Sequence, residues 1–267
     1  MSILETYNNR PRKLWVRILI FLALLILAVW SANGINLGSR MDFSAANGII
    51  HGLTHPDLNL LFDLSSEGVP YLILQTIAIA VLGTIIGGIL ALPISFLAST
   101  NVVPKWLAYI FRAFILGIRT IPSLVWALVW IRVTGPNAFC GVITQSICSI
   151  GMISKMYITA IEDLDTGILE ALDAAGCNTF QKIRCGILPQ LSASFISTII
   201  YRFDINLKDA TTLGIVGAGG IGASMLMAIN SRRWSMVGSF LWALIVLVLL
   251  IEFFSTKIRA RLARGER

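Results

Sequence analysis

Residues 170–176 read Glu-Ala-Leu-Asp-Ala-Ala-Gly and lead on to the triplet Leu188-Pro189-Gln190. This polar stretch lies between two strongly apolar blocks. Gly176 is expected to be a break or C-cap, and Pro189 is expected to stop the helix that precedes it. Apolar side chains recur through the stretch at helical spacing, namely at Leu169, Leu172, Ala175, Phe180 and Ile183. The pattern predicts two short helical pieces joined at a glycine, and on periodicity alone a helix–turn in an ordinary soluble loop explains it equally well.

The composition excludes an ordinary soluble domain. The chain has 267 residues, of which 56% are hydrophobic and 13% charged, whereas soluble domains average about 25% charged residues. So apolar a chain would leave too little polar surface in water, and we predict an all-α, polytopic membrane protein. The net charge of +7 does not indicate nucleic-acid binding, because the basic residues cluster near the ends of apolar segments, where they set topology.

Six segments are apolar and long enough to cross a membrane, since one span needs about 20 residues. They cover roughly residues 14–33, 69–98, 106–133, 138–160, 187–207 and 235–256. A basic arm precedes the first span, and an acid-biased connection, with Arg40 as its strong base, follows it. The tail is basic again. We therefore expect both termini, and with them the loop 161–186, on the cytoplasmic side.

Several residues in and between these spans allow two interpretations. Gly83 and Gly87 form a G-x-x-x-G, which favours close helix packing, although glycine is also simply common in such helices. Arg119 either snorkels to the interface or faces a water-filled path, and a kink is expected at Pro122. His51 and His55 stand at metal-ligand spacing for a helix, but Gly52 and Pro56 make a regular helix doubtful.

The four cysteines show no C-x-x-C spacing, so we expect free thiols rather than a metal site or a disulfide. They are Cys140, Cys148, Cys177 and Cys185.

A glycine-rich stretch, residues 213–222, follows the fifth predicted span. Gly217, Gly219 and Gly222 fit the dinucleotide-binding spacing, but no βαβ context surrounds them and no P-loop lysine follows. We expect either a short broken or re-entrant element near the outer mouth or an ordinary extracellular turn. Arg202, Asp204, Lys208 and Asp209 precede it. They either form salt bridges to other helices or contact the substrate. For an anionic cargo, Arg119, Arg202 or Lys208 would offer transient charge compensation.

The polar stretch resembles the "EAA" loop of the integral-membrane subunits of ABC importers. The positions that carry this resemblance are Glu170, Ala171, Gly176, Leu188 and Pro189. Leu172 and Gly186 depart from the pattern, which has alanine and isoleucine there. The resemblance implies that this loop forms a coupling helix docked in a groove of an ATPase subunit. The small residues Ala171, Ala174, Ala175 and Gly176 would allow close backbone approach to that partner.

Three blocks resemble the permeases of phosphonate importers, whose relatives also include importers of phosphite and hypophosphite. They are residues 119–128, Gly176 with 186–190, and residues 201–211 with 214–222. The resemblance covers about residues 69–256. It implies the fold of a type I ABC importer permease in the bacterial cytoplasmic membrane. In that reading, residues 1–68 are an arm, the first span and an external loop, residues 69–256 form the transmembrane domain, and residues 257–267 are a cytoplasmic tail.

The partners implied are a second copy of the chain, membrane lipid, two ATPase subunits and a periplasmic or lipid-anchored solute-binding protein. No cofactor is expected in this chain, because ATP and Mg would be bound by the ATPase, and no catalytic residue is expected. We assign the translocation path or gate to eight positions: Arg119, Ser123, Arg202, Asp204, Lys208, Gly217, Gly219 and Gly220.

Two other classes of polytopic membrane protein fit the sequence less well. An ion-coupled secondary transporter usually shows internal repeats and acidic residues at the midplane, and the sequence has no repeat. An intramembrane enzyme needs a catalytic constellation, but both histidines fall in the predicted outer loop and no H-E-x-x-H is present.

Overall fold

The computed structural model describes residues 14–33 and 43–264, and these residues form helices without a strand. The chain divides into two compact units between Ser44 and Ala45. The first unit holds α1 (Leu14–Asn33), which is long and apolar enough for one span. The basic N-terminal arm, Arg40 and the last three residues of the tail, which entered the topology prediction, lie outside the described residues.

Helices follow one another closely from residue 43 onward. They are α2 (Phe43–Thr54), α3 (Leu58–Phe62), α4 (Val69–Ala98), α5 (Lys105–Thr120), α6 (Ser123–Thr134), α7 (Ala138–Glu162), α8 (Thr166–Ala174), α9 (Thr179–Gln181), α10 (Leu188–Ile215), α11 (Ile221–Asn230) and α12 (Trp234–Arg264). A π-helical turn, Lys182–Ile187, joins α9 to α10.

The predicted kink is found, and the predicted six spans are reached if the bent helix pair counts as one span. Within the described residues, five helices or continuous helical runs are long and apolar enough to cross a membrane, and the pair α5 and α6 makes a sixth if it is one span. That pair bends by 85° at Ile121 and Pro122. Proline cannot continue the helix and disfavours helical backbone at the residue before it, which accounts for the break.

The core forms where α4 lies against α7 and α10 packs on both. A methyl group at Gly83 would overlap the Cβ of Gln145, and one at Gly87 would overlap the Cβ of Ser149. The G-x-x-x-G therefore does serve close packing, as one of its two interpretations held. The third long helix that α10 packs against is α12.

Pro189 does not stop the helix, contrary to the sequence-based expectation. It lies in the first turn of α10, where a missing N–H costs little, and the π-turn leads into it, with the Leu188 N–H donating to the Ile183 carbonyl. The helix also ends at Ile215 rather than near residue 207. Arg202 and Asp204 consequently lie in the middle of a helix and not near its end.

The doubt about a regular helix around the two histidines was wrong for His51, because α2 continues through Gly52, but the helix ends at Thr54, before His55. Glycine suits position 52 because α2 touches α12 there: a methyl group would overlap the Trp234 carbonyl. The His51 and His55 rings stack with centroids 4.7 Å apart. In the described part of the chain, no group of three His, Cys, Asp or Glu side chains is placed to hold a metal ion.

Candidate functional site

The polar stretch folds into a capped helical hairpin, residues 163–189, called the connecting segment below. Asp165 caps α8 by accepting a hydrogen bond from the Gly167 N–H at 2.9 Å. At the other end the Gly176 N–H donates to the Asp173 carbonyl (2.9 Å), and the Cys177 N–H donates to the Leu172 carbonyl (3.0 Å). Together with a φ of +75° at Gly176, these bonds form a Schellman motif. The predicted glycine C-cap is confirmed.

The second piece of the connecting segment has its own cap. The Asn178 side chain accepts from the Gln181 N–H at 2.9 Å, and the Gln181 side chain accepts from the Asn178 N–H at 2.8 Å, which forms a capping box. Lys182 pairs with Asp173 across the turn. The two pieces are therefore held to each other as well as capped separately.

The two departures from the EAA pattern touch each other. A methyl group at Gly186 would lie 2.5 Å from Cδ1 of Leu172, with Ile168 Cγ2 next at 4.0 Å. The larger side chain at position 172 thus occupies the space that a side chain at position 186 would need. The departures are complementary, and the hairpin keeps its packing between α8 and the π-turn.

The predicted coupling residues are mostly left exposed by the described part of the chain. Glu170, Ala171, Ala174, Ala175, Gly176 and Pro189 are exposed, and Leu188 is half-buried. Phe180, a residue outside the predicted site, lies in the same segment and is 69% exposed. Its sequence signal is an aromatic residue two positions after the N-cap Asn178, in an otherwise polar stretch. An exposed apolar side chain in a segment rich in small exposed residues is typical of a docking surface.

Glu162 fixes the base of this segment to the bundle. Its carboxylate pairs with Arg112 of α5 and accepts from the Thr100 N–H (2.8 Å) and hydroxyl. The Arg112 Nε also donates to the Ala98 carbonyl at 2.8 Å. The ends of α4 and α7 and the middle of α5 are thereby tied together where the connecting segment begins.

A buried polar network lies where α4, α7 and α10 meet. The Asn206 amide donates to the Thr84 hydroxyl (2.7 Å) and to the Ser149 hydroxyl (2.8 Å), while Gln145 donates to the Asn206 carbonyl at 2.8 Å. Arg202 joins it through Nε, which donates to the Ser149 hydroxyl at 3.1 Å. Arg202 thus serves helix association through hydrogen bonds, and no ion pair of it is found among the described residues.

Two other charged residues of α10, Asp204 and Lys208, form a chain of ion pairs with Glu252 of α12. Lys208 lies 3.3 Å from Asp204, one turn earlier, and 3.4 Å from Glu252 of α12. The salt-bridge interpretation to another helix therefore holds for Lys208. Asp204 is buried, and its second oxygen, Oδ1, has no hydrogen-bond partner in the part of the chain described.

Arg119 opens onto a basic pocket between α5 and α7. The pocket holds about 220 Å³ and is lined by Arg112, Arg119 and Lys155 together with three apolar side chains. Gly151 gives Arg119 room, since a methyl group there would lie 2.8 Å from its Cγ. Arg112 is occupied by Glu162, whereas Arg119 and Lys155 are exposed and have no carboxylate partner within the described ranges. Lys155 was not assigned to the path from sequence.

The glycine-rich stretch makes a tight turn into a helix too short to span a membrane. Gly217, Gly219 and Gly220 have φ of +95°, +81° and +72°, and α11 that follows has ten residues. The turn is anchored on α4 because the Gly220 N–H donates to Gln75 Oε1 and the Ile221 N–H donates to Thr76 Oγ1, both at 3.0 Å. Ser123, by contrast, begins α6 and is half-buried at the break after α5.

Known proteins resemble this chain in sequence and fold over most of its length. The model of the family described as "binding-protein-dependent transport system inner membrane component" matches residues 83–267. A phosphate-import permease of Mycolicibacterium smegmatis is 35% identical over 192 residues, which cover 70% of this chain and 36% of that protein. A phosphite transport system permease of Stutzerimonas stutzeri is 30% identical over 188 residues, which cover 70% of this chain and 68% of that protein.

Other matches agree in part of the chain or in fold. A putative cryptic phosphonate transport system permease of Escherichia coli K12 is 37% identical over 109 residues, 41% of this chain and 89% of that protein. An inward-facing methionine ABC transporter matches with a TM-score of 0.63 at 22% identity, over 73% of this chain and 95% of that chain. An amino acid ABC transporter matches with a TM-score of 0.55 at 20% identity, over 73% and 90%. At these identities the two structures show a shared fold, that of type I importer permeases.

Proposed function

This chain belongs to the family of binding-protein-dependent transport system inner membrane components, and on that premise we propose that it forms the membrane path for a small phosphorus oxyanion. Phosphonate and phosphite are the cargo we favour. A solute-binding protein delivers the anion, and a separate ATPase drives its import. The chain itself carries out no bond-breaking chemistry. The path is completed by a second copy of the chain in the cytoplasmic membrane, with both termini inside.

The cargo assignment is supported by relatives whose names specify phosphate, phosphite and phosphonate. The charge of the basic pocket agrees with it. Arg119 and Lys155 present two cations to one pocket whose described lining contains no carboxylate, which suits passage of an anion. Exposed cations offer attraction without tight capture, and an anion in transit must leave again.

The coupling role rests on the open surface of the connecting segment. ATP binding would close the ATPase dimer and push on Phe180 and the small residues around Gly176. The capped hairpin would carry that push without bending, because both of its pieces have satisfied ends. Glu162 would then pass the displacement to α4, α5 and α7 at once, and the bundle would open outward to receive cargo.

The test is ATP hydrolysis in vesicles that contain this chain with its ATPase and solute-binding protein. We expect hydrolysis to rise when the binding protein is loaded with 2-aminoethylphosphonate or phosphite, and uptake of the same anion to follow. Unloaded binding protein and sulfate-treated binding protein serve as controls. A folded preparation that never associates with the ATPase would overturn the importer proposal, and stimulation by phosphate alone would reassign the cargo.

A further inference from the structure

The first half of α10 carries a polar stripe that the buried network does not use. Its members recur at spacings of three, four and seven residues, so they share one face of the helix. They are Gln190, Ser194, Ser197, Thr198 and Tyr201. This face looks toward the last turns of α12, where the guanidinium of Arg259 lies over the Tyr201 ring, 5.4 Å from its centroid.

An open cleft of about 720 Å³ separates the stripe from the end of α12. Arg259 is the one charged side chain in its described lining, and no carboxylate lines it. Gln190, which follows Pro189, lines the cleft, so one end of the cleft lies next to the connecting segment. At the other end the ion pair between Lys208 and Glu252 closes the seam between the two helices.

Two buried polar atoms near the end of α12 have no hydrogen-bond partner among the residues described. One is the Nε of Arg259, which lines the cleft. The other is the hydroxyl of Ser255, a residue only 4% exposed that lies one turn before Arg259 and outside the cleft lining. Buried polar groups are normally paired with protein, water or a ligand. The end of α12 therefore offers hydrogen-bonding capacity that α10 does not fill.

The chemistry of the lining specifies the kind of ligand. A guanidinium binds oxyanions through paired N–H groups, and the hydroxyls of the stripe can donate to the remaining oxygens. A cation would meet Arg259 without any carboxylate to balance it, and an apolar ligand would leave the hydroxyls unpaired. A tetrahedral oxyanion satisfies both features.

We propose that this cleft binds a small oxyanion of the phosphate or phosphonate type, entering from the side of the connecting segment. The occupant is either the free anion or the phosphate of an anionic lipid headgroup, which share this chemistry. That the free anion is the one transported rests on the proposed function, whereas the existence of an oxyanion site does not.

The experiment measures binding of radiolabelled inorganic phosphate to the complex of this chain with its ATPase, in phosphatidylcholine nanodiscs. Excess ADP keeps the nucleotide sites occupied. Arg259→Gln should weaken binding at least about tenfold, the usual loss for a charge-assisted pair. Arg261→Gln, an exposed arginine on the same helix, should leave it unchanged. The double variant Ser194→Ala with Ser197→Ala should weaken phosphate binding several-fold. It tests the same site if the arginine variant does not fold.

A second arm uses nanodiscs that contain phosphatidylglycerol. The headgroup is identified as the native occupant if two results are obtained. Phosphate must bind strongly in phosphatidylcholine, and phosphatidylglycerol must suppress that binding only when Arg259 is present. Equal binding by the Arg259 and Arg261 variants, or no binding by the unaltered complex in either lipid, would overturn the proposal. This binding assay does not depend on transport. If binding depends on Arg259 but the vesicle assay shows no import of phosphorus oxyanions, the proposed function fails and the oxyanion site stands.

Discussion

Gly176 is the residue on which the shape of the connecting segment depends. Its φ of +75° is open to glycine and costs most other residues about 1–2 kcal/mol. A Cβ at this position would have no heavy atom within 4 Å. Any effect of a substitution within this chain therefore comes from backbone strain, and any steric effect must come from a partner.

The first mutational prediction separates those two effects at Gly176. Gly176→Val should lose the Schellman motif and uncouple ATP hydrolysis from transport, because β-branched residues rarely adopt this conformation. Gly176→Asn, which tolerates it, should retain the hairpin. The measurement is anion transported per ATP hydrolysed in vesicles, with membrane insertion checked by protein yield. Near-normal coupling in the valine variant would contradict a docking role, and loss in both variants would place the partner within contact of position 176.

At the scale of elements, the connecting segment was predictable where local rules act and not where distant residues meet. The glycine C-cap follows from composition near position 176, but the contact of Leu172 with Gly186 spans a turn and appears only in the fold. The length of α10 was underestimated because Asn206, Lys208, Asp209 and Thr211 make its last third polar, although the helix continues to Ile215. Pro189 was misjudged because its place in the first turn of α10, after a π-turn, appears only in the fold.

The complementary pair allows a double-mutant prediction. Leu172→Ala should leave a void beside Gly186 and cost about 2 kcal/mol for a half-buried leucine, while Gly186→Ile should clash with Leu172. Combined, the two changes restore the usual family arrangement and should recover at least half of the lost thermal stability of the complex. Gly117→Ala serves as the control, because its added methyl group would have no atom within 4 Å. Its effect on stability should simply add to that of Leu172→Ala. Additivity of the Leu172 and Gly186 changes, within about 0.5 kcal/mol, would refute the pairing.

At the scale of the molecule, the fold separates two uses of arginine that the sequence left ambiguous. Arg202 donates a hydrogen bond to Ser149 in the buried network, and Arg112 pairs with Glu162. Arg119 and Lys155 remain facing the pocket. Ser149, which binds Arg202, and Lys155, which lines the basic pocket, lie about 9 Å apart along α7 at 1.5 Å per residue. The cation of the buried network and those of the pocket are therefore close along the bundle axis. Spacing alone could not assign them, because the assignment depends on which helix each residue faces.

The open pair should therefore govern passage of the anion and not assembly. Arg119→Gln combined with Lys155→Gln should reduce the uptake rate of the phosphorus oxyanion about tenfold or more, while complex formation and basal ATP hydrolysis stay within twofold. The charge-preserving pair Arg119→Lys and Lys155→Arg should keep most of the uptake, because attraction at an exposed site depends mainly on charge. Arg132→Gln, an exposed arginine near the end of α6 that does not line the pocket, controls for the loss of a positive charge as such. Uptake that falls equally in the Arg132 variant would assign the effect to the overall field of the protein. Uptake unaffected by the double neutral variant would remove this pocket from the path and leave the anion to travel along another face of the bundle.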